Sequence, residues 1–125
     1  MKVEYLKAGS PDCPLIRLFE FDAKEANGLR LACVSLSRGE ETAVDLLRSL
    51  GVESVGGCRL TFRVGPQDEG LKRATGEQSF ECSLTPEGWE DLALLIEPFT
   101  KSCKGYQWLT QTGEARLLFS PFGTW

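Results

Sequence analysis

Cys58-Arg59-Leu60-Thr61-Phe62-Arg63-Val64 alternates without a break, and its reading decides the fold. Successive side chains of a strand point to opposite faces, so Cys58, Leu60, Phe62 and Val64 face a core while Arg59, Thr61 and Arg63 face away. Phe80, Cys82 and Leu84 repeat the inward pattern against Glu81 and Ser83. Between the two runs, residues 65–78 are polar and carry three glycines, which predicts an antiparallel hairpin around a long loop.

Outward from this hairpin, Thr85-Pro86-Glu87 carries the clearest helix start. Threonine caps, proline suits the first helical position, and Glu87, Glu90 and Asp91 complement the positive helix end. Trp89, Leu92, Ala93 and Ile96 then form one apolar face, and Pro98 stops the helix. Tyr106–Thr110 and Glu114–Ser120 read as a second hairpin turning at Thr112-Gly113, with Tyr106, Trp108 and Thr110 on the same face as Ala115, Leu117 and Phe119.

Towards the N-terminus, Val3 and Tyr5 alternate as a short edge strand, and residues 9–14 form a turn-rich break. Leu15 to Phe21 is apolar on both faces, as a central strand would be. Asp22-Ala23-Lys24-Glu25 has the form of a capping box, and Ala26, Leu29, Cys33 and Leu36 follow at helical spacing up to Gly39. Asn27-Gly28 supports a rival hairpin. Residues 41–50 are undecided: Ala43, Val44, Leu47 and Leu50 fit a helical face, and Val44, Leu46 and Arg48 fit a short strand almost as well.

These elements predict one α+β domain over 1–125: a mainly antiparallel sheet with two helices packed on one face. A ferredoxin-like β-α-β-β-α-β core with added strands is the most economical version, and it needs a strand near Val44.

The chain has five cysteines and no histidine, which discards Ser-His-Asp and Cys-His catalysis and histidine-ligated zinc. Cys13, Cys33, Cys58, Cys82 and Cys103 stand twenty or more residues apart, so no Cys-x-x-Cys motif exists. An odd cysteine count, no signal-like start and no long apolar run predict a cytoplasmic protein with free thiols and no membrane span. The net charge of −4 argues against nucleic-acid binding.

Three groups are candidate sites. Arg59 and Arg63 on their strand, with Lys72 and Arg73 on the adjoining loop, could gather around a phosphate or carboxylate. Cys103, between Lys101 and Lys104, is the candidate reactive thiol. Phe122 and Trp125 place two large rings in a five-residue tail, which must fold back on the sheet or meet another chain. No catalytic residue, metal ligand or cofactor is expected. The leading reading is a non-enzymatic cytosolic module acting through protein contacts or self-association, and a small acidic inhibitor or immunity-type protein has this composition. The alternative is a small-anion-binding domain or small enzyme using the basic group.

Overall fold

The structure, a computed structural model, describes residues 1–10 and 13–125. Nine strands and three helices follow in the order β1 (Lys2–Ser10), β2 (Cys13–Phe19), α1 (Ala23–Ser37), β3 (Ala43–Asp45), α2 (Leu46–Leu50), β4 (Glu53–Val55), β5 (Arg59–Val64), β6 (Gly70–Arg73), β7 (Ser79–Leu84), α3 (Pro86–Ile96), β8 (Gln107–Thr110) and β9 (Arg116–Phe119). A 3-10 turn over Glu97–Thr100 extends α3 past the point where Pro98 stops it. Among the described residues no helix is long and apolar enough to cross a membrane.

The α+β content agrees with expectation, but the sheet does not. There are two sheets, ordered β4-β1-β2-β9-β8 and β3-β5-β7-β6, and both mix parallel with antiparallel pairs. The expected hairpin of β5 and β7 is overturned: they pair in parallel, Arg59 opposite Ser79 through Val64 opposite Leu84. The intervening segment is no plain loop, because Gly70–Arg73 forms β6 and pairs antiparallel with β7 from the other side. Alternation of period two is identical for parallel and antiparallel partners, so the inward residues were legible and the direction was not. Two mixed sheets also exclude the ferredoxin-like arrangement.

Local signals act where chemistry is short-ranged. Asp22 accepts from the Glu25 amide at 2.8 Å and Glu25 accepts from the Asp22 amide at 3.2 Å, completing the capping box of α1. Thr85 caps α3 through the Gly88 amide at 3.1 Å. Asp68 adds a second acceptor there, taking hydrogen bonds from the Thr85 amide and hydroxyl, both at 2.8 Å. Residues 41–50 are both things at once: β3 pairs with β5, and Asp45 then caps α2 through the Leu47 amide at 3.1 Å. β1 is no edge strand, since β4 and β2 flank it. Of the expected break at 9–14, residues 11–12 lie outside the described residues, while 9–10 belong to β1 and 13–14 to β2.

Both sheets and the packed pair α1 and α3 enclose one connected core. Trp89 of α3 lies 4.6 Å from the Phe62 ring, with its indole N–H donating to the Arg63 carbonyl at 3.0 Å. Phe119 stacks on Phe21 at 4.1 Å and meets Phe99 edge-on at 5.0 Å. The sheets meet where the Glu114 amide donates to the Leu71 carbonyl at 2.7 Å. Gly70 and Gly113 permit that crossing, because an added Cβ on either would overlap the opposing backbone.

Candidate contact surface

The five-stranded sheet buries one face in the core, and its second face is covered at the centre, where Leu15 and Leu118 are 0% and Phe19 7% exposed. Register puts Val3, Ile16, Leu18, Leu117 and Phe119 inward, and therefore Arg17, Phe19, Arg116 and Leu118 outward. Trp108 is opposite Leu118, so it too faces outward. The expected grouping of Trp108 with Leu117 and Phe119 is thus corrected, and a register shift between Trp108 and Thr110 is the reason.

Arginine and aromatic side chains alternate over this face. Arg17 lies 3.9 Å from the centre of the Phe19 ring, and its Nε and Nη2 both donate to Glu4 Oε1 at 2.9 and 2.6 Å. Arg116 lies 5.8 Å over Trp108, whose ring meets that of Tyr106 edge-on at 6.4 Å. Trp108, Leu118 and Arg17 form a row across three strands, about 10 Å from end to end at ordinary strand spacing.

The C-terminal tail is pinned to the same face. The Ser120 amide donates to Leu18 at 3.0 Å, and Pro121 accepts from the Glu20 amide at 2.8 Å. The Gly123 amide returns to the Ser120 carbonyl at 3.0 Å, closing a turn, and the Ser120 hydroxyl donates to the Thr124 carbonyl at 2.6 Å. Gly123 has a φ of +75° and packs against Arg17 and Phe19, where a Cβ would stand 3.3 Å from the Phe19 ring. The backbone folds back, yet Phe122 remains 75% exposed and Trp125 46% exposed, and Tyr106, just before β8, is 49% exposed.

Register brings Arg59, Arg63 and Lys72 to one face of the four-stranded sheet and sends Arg73 to the other. Arg63 pairs with Glu81 at 3.3 Å, and Lys72 pairs with Glu69. Lys72 and Arg73 are neighbours on β6 and point to opposite sides of their sheet. Arg73 bonds the Tyr5 hydroxyl at 3.1 Å and lies over the Tyr5 and Phe80 rings. Arg59 is exposed and makes no ion pair among the described residues.

Cys33, Cys58 and Cys82 are free and fully buried. Burial pushes the Cys58 and Cys82 thiols up to about 12. Cys103 is half-buried, and its thiol donates to the Phe99 carbonyl at 3.4 Å. Burial, followed by the nearby Asp22 carboxylate, raises its pKa too, so the activation expected from Lys101 and Lys104 is reversed. Among the described residues no cluster of three or more Cys, Asp or Glu is placed to hold a metal ion.

Arg17, Tyr106, Arg116 and Gly123 escaped the sequence reading. Arg17 sits on an apolar strand and Gly123 in a tail, and only the sheet brings them together. No protein-family model matches the chain, and comparison with curated proteins and with solved structures finds no match.

Proposed function

We propose that this chain is a non-catalytic contact module of a reducing, cytosolic setting, seating a protein partner on the exposed aromatics of its C-terminal tail and of the β8 side of the five-stranded sheet. Phe122 and Trp125 serve as anchors, with Tyr106, Trp108 and Arg116 alongside. Phe122 carries the reading: a large ring, 75% exposed, stands on a turn held by hydrogen bonds to β2 and within itself. An aromatic held rigid before binding loses little conformational entropy on contact. Tryptophan, tyrosine and arginine are the residue types that carry most binding energy at interfaces. Free buried thiols fit the reducing compartment. The small-anion alternative has less support, since three of its four basic residues already have partners and two point apart.

The test is solution mass by light scattering, on the full chain and on a form shortened after Pro121, followed by affinity capture with a Phe122→Ala, Trp125→Ala double variant. A dimer lost on shortening, or a protein held by the full chain and released by the double variant, supports the reading. Monomers in both forms, with no captured protein sensitive to the two rings, would overturn it.

A further inference from the structure

A groove separate from the aromatic surface lies between α1 and the segment that returns along it. After α1 the chain runs back through β3 and α2 to Val52. Two cavities of about 340 and 370 Å³ lie between these walls and adjoin at Gly28 and Leu50, which line both. Each is of a size that holds small ligands or side chains.

The groove is apolar in its middle. Gly28 and Ala32 line it from α1, Ala43 and Val44 from β3, and Leu31 stands half-exposed on the rim. Glycine inside a helix costs about 1 kcal/mol relative to alanine. Yet an added Cβ at Gly28 would meet nothing within 4 Å, so this fold's own packing does not require glycine there. One wall is a sheet edge, for β3 ends its sheet and pairs with β5 alone. The backbone groups on such an edge are matched in series only by another strand.

The two ends differ in charge. At one end Glu25 is matched by the Met1 ammonium, which leaves Lys24 without an ion partner among the described residues. At the other end Glu41 has no ion partner among the described residues either. We propose that this groove binds an extended peptide segment of a protein partner, paired antiparallel to β3, acidic where it meets Lys24, apolar between, and basic where it meets Glu41. From Lys24 to Ser35 the helix rises about 16 Å at its standard pitch, which an extended chain spans in about five residues. The groove shares no residue with the aromatic surface and goes beyond the contact role assigned there.

An acetylated, amidated pentapeptide Glu-Val-Thr-Val-Lys, titrated into the ¹⁵N-labelled full chain, tests this. Saturable amide shifts centred on Gly28, Ala32, Ala43 and Val44 are expected, unchanged in the form shortened after Pro121. The reversed peptide Lys-Val-Thr-Val-Glu should bind about tenfold more weakly, the equivalent of about 1.4 kcal/mol from two charge contacts. The Lys24→Glu, Glu41→Lys variant should invert that preference, and Gly28→Leu should abolish binding while helicity is kept. N-methylation of both valines should abolish it also. No saturable shift at millimolar peptide, equal binding of the N-methylated peptide, or an unchanged preference in the charge-exchanged variant would overturn the proposal. Because the shortened form is run in parallel, failure here and failure of the aromatic surface are read separately.

Discussion

Arg17 Nη1 donates a 2.8 Å hydrogen bond to the carbonyl of Gly123, tying the second strand to a tail 106 positions further along the chain. The same guanidinium is held by Glu4 and lies on Phe19. One side chain thus fixes the tail, and with it the direction in which Phe122 points.

Gly123→Ala should loosen this attachment. A residue with a Cβ pays about 1–2 kcal/mol for the left-handed conformation, and here it also crowds Arg17 and Phe19. Urea denaturation should show a loss of about that size, and amide exchange of residues 122–125 should quicken. Unchanged exchange would mean that the tail is held by something other than this contact.

Phe122→Ala should leave stability within about 0.5 kcal/mol of the parent, as for an exposed side chain. Phe119→Ala should cost about 3–5 kcal/mol, as for a buried aromatic. Both follow from exposure, 75% for one ring and 0% for the other. A Phe122→Ala loss comparable with that of Phe119→Ala in thermal or urea unfolding would place the ring in the fold rather than on a contact surface.

Gly113→Ala should destabilise more than Gly105→Ala, although both glycines have positive φ, +93° and +72°. The Gly105 position is open, whereas a Cβ at Gly113 would overlap the Leu71 carbonyl and stand 2.7 Å from its nitrogen. The difference, about 1–3 kcal/mol for forced overpacking, measures how tightly the two sheets cross. Equal losses in denaturant titrations would show that the crossing relaxes freely.

Stability should fall as pH rises above the ordinary thiol range. Cys58 and Cys82 are pushed from 9.0 to about 12 by burial first, with the Glu4 and Asp68 carboxylates adding respectively, and Cys33 is raised by burial and by Cys82. Between these values the folded chain keeps protons that the unfolded chain releases, so the stabilising contribution is complete below about 9 and is lost progressively towards about 12. Each thiol contributes a slope of about 1.4 kcal/mol per pH unit. Urea midpoints compared at about pH 8 and about pH 10 should show this decline, and Cys82→Ala should flatten it. A parent slope no steeper than that of Cys82→Ala would count against it.

Much of this architecture was legible from short-range patterns. The capping box at Asp22 and Glu25, the Thr85-Pro86 start of α3, the inward set of β5 and β7 and the hairpin of β8 with β9 all depend on residues a few positions apart. Residues 41–50 defeated the reading because three strand residues and five helical ones share one window, and each pattern blurs the other.

The amino-acid sequence by itself determined the inward residues of β5, β7, α1 and α3, where α1 and α3 begin, and that histidine-based chemistry is excluded. Those depend on alternation, capping and composition, which act locally. The tertiary structure alone decided that β5 and β7 run parallel, that Arg17 meets Gly123, that Arg73 parts from the other three basic residues and that a groove opens beside Gly28. Each is a choice of partner between segments distant in the chain, and side-chain periodicity carries no information about which edge a strand will join.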